Sequence, residues 1–270
     1  MDMGFIGFGN MAQAIAKGIV GKKAFDSFGI FAYNPTPSKI TSFNEACGSH
    51  ICSCQSASEV VKKAHFVFLC VKPQVLKAVL CEVRAAICDD TVIVSIVAGV
   101  TSDKIRAIIE KPTQIVRTMP NTPLLLGQGT TAFSHTQDVS EADYQTVKQI
   151  FLSIGTVYEI PEISFNEVIP VNGSSPAFIY LLAKQIAKNA ERHGLDYTDS
   201  LHMFADTLIG SAHMILESGN DIDKLITMVC SKGGTTLAAL DTLNRCGFEN
   251  SIDKAFDSCI ERAYELGKSE

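Results

Sequence analysis

The amino-acid sequence predicts an α/β protein in which a doubly wound, mostly parallel sheet is followed by an all-α domain. Three observations lead to this expectation. A short apolar run at residues 3–8 leads directly into glycines and then into apolar residues at helical spacing. Strand-like and helix-like segments alternate up to about residue 160, and beyond Pro161 the period is helical throughout. We therefore predict two domains, residues 1–160 and residues 161–270.

The first stretch of the chain, residues 3–14, reads MGFIGFGNMAQA and contains G-x-G-x-x-A at Gly7, Gly9 and Ala12. In a strand–turn–helix unit the first glycine permits a tight turn, and the second lets the backbone approach a pyrophosphate. The third small residue lets the helix pack on the strand. Free N–H groups at the helix start would hold the phosphates. The pattern indicates a Rossmann dinucleotide site, with a glycine-rich turn that binds nothing as the alternative.

The remaining elements follow from periodicity and from turn residues. Buried strands are predicted at residues 29–33, 65–71, 91–97 and 114–119, with a short third strand around Ile51. Residues 129–134 are predicted as an edge strand and residues 156–160 as the last strand. Between them a helix would run to Leu152 from a capping box of Ser140 and Asp143. Helices of the second domain are predicted at residues 176–193, 198–217, 222–229, 235–245 and 252–266.

Bulk composition limits the function. Of 270 residues 29 are acidic and 23 basic, and no basic run is present, so a nucleic-acid partner is not expected. No apolar run approaches the roughly 20 residues of a membrane helix, and no signal-peptide pattern precedes the first strand. Nine cysteines in such a chain are expected as reduced thiols, which favours a cytoplasmic protein.

One cluster raises the question of a metal. Cys47, His50, Cys52 and Cys54 supply four candidate zinc ligands within eight residues. Their spacing lacks the paired C-x2-C arms of common structural zinc sites, and small cysteines also fill space in a short strand. We therefore expect no metal, with zinc as the alternative.

The end of the second strand bears on the cofactor. Ligands of an open parallel sheet lie beyond the carboxyl ends of its strands, where NAD-preferring sites usually carry Asp or Glu. This chain has Asn34 there, followed by Thr36 and Lys39, which can bind phosphate oxygens. NADPH is therefore the expected cofactor, with NADH as a second one. The alternative for Lys39 is a solvated helix residue.

The segment SKGGTT, residues 231–236, lies between two predicted helices. Its glycines allow backbone N–H groups to converge on an anion, and Thr235 and Thr236 add hydroxyls at a helix start, which suits a substrate carboxylate. A plain helix start after a glycine linker is the alternative. The chain has no G-x-S-x-G elbow and no P-loop lysine, and its histidines are scattered. An imine, which needs no strong base, therefore fits better than an alcohol as the group to be reduced.

Five motifs, in order along both predicted domains, resemble those of pyrroline-5-carboxylate reductases. They are GFIGFGNMAQAI, VKPQ, VSIVAGV, RTMPNTP and CSKGGTTLAAL, beginning at Gly4, Val71, Val94, Arg117 and Cys230. The resemblance implies reduction of the imine of 1-pyrroline-5-carboxylate to L-proline by NAD(P)H, the last step of proline biosynthesis. It also implies a helical domain that forms a homodimer and, in some members, a larger ring of dimers.

The resemblance further assigns residues. The catalytic group would be the Thr236 hydroxyl, hydrogen-bonded to the imine nitrogen while hydride comes from nicotinamide C4. Ser231, Gly234 and Thr235 would join it in binding the substrate. Asn34 and Thr36 would lie beside the adenosine ribose, and Ala98 and Gly99 near the nicotinamide. The rest of the dinucleotide would be held by Ile6, Gly7, Phe8, Gly9, Asn10, Met11, Val71, Lys72 and Pro73.

Three residues depart from the family pattern: Ser175 replaces Gly, Lys232 replaces Pro and Ala57 replaces Asn. They keep two other hypotheses open. One is a related enzyme on the same fold that reduces another imine or acts on a β-hydroxyacid, although Lys184 and Asn189 do not have the spacing that β-hydroxyacid enzymes need. The other is a non-catalytic regulator that binds NADP.

Overall fold

The computed structural model describes residues 1–268 and divides into two compact units. One comprises Met1–Ser174 together with the segment that starts at Cys259, and the other comprises Ser175–Ser258. Pro161, the predicted boundary, lies inside the first of these two units. The assignment of separate roles to residues 1–160 and 161–270 stays a prediction.

The first unit is built on one sheet. Its strands, among the described residues, are β1 (Met3–Ile6), β2 (Ile30–Tyr33), β3 (Cys52–Ser53), β4 (Phe66–Leu69), β5 (Val92–Ser95), β6 (Gln114–Pro120), β7 (Gly129–His135) and β8 (Gly155–Glu159). Their order is β3-β2-β1-β4-β5-β6-β7-β8. Strands β1 to β6 are parallel, β7 is antiparallel to β6, and β8 is parallel to β7. The predicted doubly wound, mostly parallel sheet is confirmed.

Strand β7 corrects one expectation, because it is not an edge strand. It lies between β6 and β8, and β8 forms the edge. Two glycines that begin these strands permit the close pairing, since a Cβ on Gly155 would overlap the backbone of Gly129. Without side chains at that position, β8 pairs with β7 from its first residue.

Helices cover both faces of this sheet. They are α1 (Asn10–Ile19), α2 (Ser38–Cys47), α3 (Ala57–Lys63), α4 (Pro73–Val83), α5 (Ser102–Ile109) and α6 (Glu141–Leu152). Alternate strand residues point to opposite faces. Phe5 and Phe68 stack at 4.8 Å between ring centroids on the face packed by α1, α2 and α6. Ile6 and Leu69 belong to the apolar cluster formed with α3, α4 and α5.

Helix α3 was not expected from the sequence, although its capping residues are present. The Ser56 hydroxyl accepts a hydrogen bond from the Glu59 backbone N–H at 3.1 Å, and a Glu59 carboxylate oxygen accepts one from the Gln55 N–H at 2.8 Å. A serine followed three residues later by a glutamate is the sequence pattern of such a cap. The predicted cap of α6 is confirmed by a 3.1 Å bond from the Asp143 N–H to the Ser140 hydroxyl.

The second unit is helical. Its elements are α7 (Ser175–Arg192), α8 (Tyr197–Glu217), α9 (Ile222–Met228), α10 (Thr235–Arg245) and the first half of α11 (Phe248–Lys268), which continues into the first unit. No helix within residues 1–268 is long and apolar enough to cross a membrane. In α7 to α10 the buried residues are Pro176, Ala187 and Ser200, none of which is a large apolar side chain. In a single chain, the second unit therefore has no core of large apolar side chains.

Candidate active site

The turn between β1 and α1 has the geometry of a dinucleotide site. Gly7 has φ +86°, and a Cβ there would lie 2.6 Å from the carbonyl oxygen of Cys70, so only glycine fits. Gly9 precedes α1 in an extended conformation, and its position faces open space, because a Cβ would meet no atom within 4 Å. No side chain caps α1 at Gly9. Its first N–H groups remain available to an anion.

Ile6 and Phe8, two residues of this turn that were predicted to bind the cofactor, could contact it only through their backbone atoms. Ile6 and Phe8 are both 0% exposed, and the Phe8 ring packs edge-on against Phe43 at 5.3 Å. The N–H of Phe8 is also engaged, since it donates to Asn34 Oδ1 at 3.0 Å. Asn10, by contrast, is exposed at the start of α1, and Met11 beside it is half-buried.

Asn34 links two loops. Besides accepting from Phe8, its Nδ2 donates to the carbonyl oxygen of Thr36 at 3.0 Å. The amide therefore holds the β1–α1 turn to the turn that follows β2. Contact of Asn34 or Thr36 with a ribose stays a prediction.

An open groove of about 420 Å³ lies between α1 and α2. Its polar lining includes Lys39, which was predicted to bind phosphate, and Lys17, which was not predicted from the sequence. Both lysines are exposed. The residues that line the groove are Gln13, Lys17, Ser38, Lys39, Ser42, Phe43, Ala46, Cys47 and Leu125.

The other predicted cofactor loops follow β4 and β5. Sheet register aligns Ile6 with Leu69 and Leu69 with Ser95, so the carboxyl ends of these strands lie at one edge. Lys72 is exposed at the start of α4, while Val71 and Pro73 are half-buried. After β5, Ala98 is half-buried, whereas Gly99 is buried under the last turns of α11.

The predicted substrate residues belong to the second unit, whereas all the predicted cofactor residues belong to the first. Gly233 has φ +72°, and the Gly234 N–H donates to the Ser231 carbonyl oxygen at 2.9 Å. Gly234 then starts α10 without a side-chain cap. Thr236 is half-buried, and Thr235 is exposed. The segment thus presents N–H groups of a helix start together with two hydroxyls.

The described residues contain no group of three or more His, Cys, Asp or Glu side chains that could hold a metal ion. The cluster of Cys47, His50, Cys52 and Cys54 is therefore not arranged as a zinc site. Cys54 is buried, and burial raises the pKa of its thiol, which opposes the thiolate that a metal requires.

Two family models match the chain. One describes pyrroline-5-carboxylate reductase dimerisation and matches residues 162–266, and the other describes an NADP oxidoreductase, coenzyme F420-dependent, and matches residues 2–99. The pyrroline-5-carboxylate reductase of Escherichia coli (strain K12) is 35% identical over 267 residues, which cover 99% of this chain and 98% of that protein. This chain belongs to the pyrroline-5-carboxylate reductase family.

Two further comparisons agree with this membership. The pyrroline-5-carboxylate reductase of Pisum sativum is 32% identical over 98% of this chain and 95% of its own length. A crystal structure of Plasmodium falciparum pyrroline carboxylate reductase with NADP bound has a TM-score of 0.89 at 25% identity, covering 99% of this chain and 98% of that one. The family resemblance seen in the motifs is confirmed.

The three departures from the pyrroline-5-carboxylate reductase pattern lie in different environments. Ala57 is 0% exposed and packs in the core beneath α3. Ser175 is the first residue of α7. Lys232 is exposed before α10, and nothing in the structure explains its presence there.

An ion pair that was not predicted from the sequence joins the buried Arg117, in the RTMPNTP motif, to the half-buried Glu162. Arg117 is 3% exposed and donates from Nη1 to a Glu162 carboxylate oxygen at 2.9 Å. Its guanidinium carbon lies 4.4 Å from the centroid of the Phe165 ring. The same Glu162 oxygen accepts from the Ser102 N–H at 2.7 Å, so it ties the start of α5 to β6. Because Ser102, Arg117 and Glu162 are far apart in sequence, no local pattern could reveal that they meet.

A second missed residue is Asn172. It is 5% exposed, and its Nδ2 donates to the carbonyl oxygen of Met119 at the end of β6, while its Oδ1 has no partner. The side chain anchors the segment before α7 to the sheet edge where the strand-end loops lie.

The pKa values of the ion pair follow from burial and charge. Burial lowers the pKa of the Arg117 guanidinium, against the opposing effect of Glu162. Burial alone would raise the pKa of Glu162, but the Ser102 N–H and the Arg117 charge outweigh it, and that pKa lies below its ordinary value. The carboxylate is therefore held in its charged form.

Glu162→Gln tests this pair. At pH 7 we expect the free energy of unfolding to fall by about 3 kcal/mol, because Arg117 keeps a buried charge without its carboxylate. Because the pKa of Glu162 is lower in the folded protein, its ionisation stabilises the fold at pH values above the unfolded-state pKa of about 4.3. This contribution is lost as the pH falls through the folded-state pKa. Denaturant unfolding at pH 7 and at lower pH should thus show a shrinking difference between variant and wild type.

The matched control is Glu45→Gln, at an exposed position. We expect it to leave the unfolding free energy close to the wild-type value at both pH values. A Glu162→Gln effect that is absent at neutral pH, or that does not change with pH, would contradict the assignment.

Proposed function

We propose that this protein reduces the imine of 1-pyrroline-5-carboxylate to L-proline with NADPH, the last step of proline biosynthesis. The observation that carries the proposal is an intact dinucleotide turn, Gly7 to Ala12, within a chain that matches reductases of this name over nearly its whole length. NADH is proposed as a second cofactor. A cytoplasmic location is part of the same proposal, since nine cysteines favour a reducing compartment.

The cofactor fits the residues of the first unit. The open space at Gly9 leaves room for a pyrophosphate, and the uncapped N–H groups of α1 would bind its oxygens. Lys39, together with Lys17 in the same groove, would attract the 2′-phosphate. When bound, the reduced nicotinamide supplies a hydride to the imine carbon.

The residues predicted to bind the substrate belong to the second unit and lie around the start of α10. The backbone N–H of Thr235, at the uncapped start of α10, would bind the carboxylate. The Gly234 N–H already donates to the Ser231 carbonyl oxygen, so Gly234 would contribute to the site through its lack of a side chain. The Thr236 hydroxyl would then hydrogen-bond the imine nitrogen and orient it for reduction. Ser231 supports this arrangement, because a Cβ on Gly234 would overlap its hydroxyl, so the two residues pack directly together.

The first experiment is an assay of NADPH oxidation by the purified protein with 1-pyrroline-5-carboxylate supplied. We expect turnover with proline as product, and slower or equal turnover with NADH measured in parallel. NADPH binding without turnover would contradict the proposal and favour the regulator. Turnover only with a different imine would favour a related reductase.

Thr236→Ala tests the catalytic hydroxyl. We expect kcat/KM for the imine substrate to fall by about 100-fold, because the group that positions the nitrogen is lost. Affinity for NADPH should stay close to wild type. The matched control is Thr242→Ala on the same helix, whose hydroxyl donates to the Ala238 carbonyl oxygen and accepts from Arg245, both on its own helix. Equal activity of the two variants would remove Thr236 from the mechanism.

We further propose that the chain forms a homodimer through its second unit. Large apolar side chains there face solvent in a single chain, including Leu181 at 67%, Ile209 at 60% and Leu216 at 74% exposed. Exposed apolar area of this extent is typical of an interface. A dimerisation model matches this part of the chain, which supports the second copy as the partner. Assembly of dimers into a larger ring stays a prediction.

Leu216→Lys tests the interface. A charge on this apolar surface would require desolvation on association, so we expect sedimentation to shift from dimer toward monomer. Asn220→Lys, at an exposed polar position in the following loop, is the control and should remain dimeric. Circular dichroism checks that both variants stay helical. A wild-type protein that sediments as a monomer at all concentrations would contradict the proposal.

A further inference from the structure

The last turns of α11 lie directly against the turn that follows β5. Gly99 has φ +78°, and a Cβ there would overlap the carbonyl oxygen of Ala263 and lie 3.0 Å from the backbone N of Gly267. In the reverse direction, a Cβ on Gly267 would overlap the carbonyl oxygen of Gly99. Two glycines therefore allow two backbones to touch at this crossing, and neither position has room for a side chain.

Polar contacts fix the same turns of α11. Lys104 of α5 donates from Nζ to the Gly267 carbonyl oxygen at 2.5 Å. Tyr264 donates its hydroxyl to a Glu167 carboxylate oxygen at 2.6 Å. Ala263 is 3% exposed and belongs to the apolar cluster at the end of β6. The contact is thus held on several sides within the first compact unit.

Leu266 extends the contact to a second loop. Together with Pro73 at the start of α4 and Lys104 of α5, it lines a small cavity of about 30 Å³. The same helical turn therefore borders two of the loops predicted to hold the cofactor: the one that ends at Pro73, and the one that contains Gly99 and is expected near the nicotinamide.

We propose that residues 263–267 are a positioning element that holds these two loops in the conformation that binds NADPH. The inference rests on the proposed function. Loops fixed before the ligand arrives avoid an ordering cost on binding, so a fixed turn raises cofactor affinity without touching the cofactor. Gly267 is accordingly a positioning residue and not a catalytic one.

Gly267→Ala is the direct test. The added Cβ overlaps the Gly99 carbonyl oxygen and must displace the turn. We expect the Kd and KM for NADPH to rise about tenfold, while the KM for the imine substrate changes much less. A variant whose NADPH affinity equals that of wild type would overturn the proposal, and so would one that loses affinity for both ligands in proportion.

Lys104→Ala is the second variant, because it removes the bond to Gly267 without creating a clash. It should weaken NADPH binding in the same direction and to a smaller extent, and it decides the question even where Gly267→Ala fails to fold. Lys268→Ala, at an exposed residue on the same turn, is the control and should bind NADPH as wild type does. Unchanged NADPH affinity of Lys104→Ala would overturn the proposal.

The readout is the direct binding of NADPH, followed by its fluorescence, with thermal unfolding recorded for each variant. Binding is measured before turnover, so failure of the two proposals can be told apart. Wild type that does not bind NADPH contradicts the proposed function itself. Wild type that binds NADPH, with variants that bind it equally well, contradicts only the role of residues 263–267.

Discussion

The close approach of backbones at Gly7 is the constraint on which the rest of the first unit depends. The Gly7 N–H donates to the Tyr33 carbonyl oxygen at 2.9 Å, and the Cys70 N–H donates to the Ile6 carbonyl oxygen at 2.9 Å. These bonds continue the sheet by one residue at its centre and bring three strand ends together. A side chain at Gly7 would push the neighbouring strand away. The turn into α1, and with it the free helix start, exists only because that position is glycine.

The second unit differs from the first in how few large apolar side chains it buries. The first unit buries large aromatic and aliphatic side chains on both faces of its sheet. Helices α7 to α10 bury no large apolar side chain in a single chain. Most of the stability of helices in proteins comes from packing of an apolar face and not from helical propensity. Stability of the unit is therefore expected to depend on association and hence on protein concentration.

Local patterns determined how much of the fold could be predicted. Apolar runs gave the central strands to within about two residues at each end, and glycines on both sides gave α10 at its observed bounds, Thr235–Arg245. Helix α3 could have been found from Ser56 and Glu59. The role of Asn34 depends on the register of β1 and β2, and the contact of Gly99 with Gly267 joins residues far apart in the chain. Such tertiary contacts leave no local pattern.

The engagement of Asn34 changes how cofactor preference should be explained. An acidic residue at the end of β2 would repel a 2′-phosphate, but the amide found here already bonds Phe8 and Thr36. Its proposed contribution is therefore the absence of a negative charge, and we propose that attraction of the phosphate comes from Lys39 and Lys17 in the adjacent groove. Both lysines are exposed, so solvent and salt screen their charge. Attraction by exposed lysines favours NADPH without excluding NADH. When the 2′-phosphate is absent, no polar group at the end of β2 loses a hydrogen-bond partner.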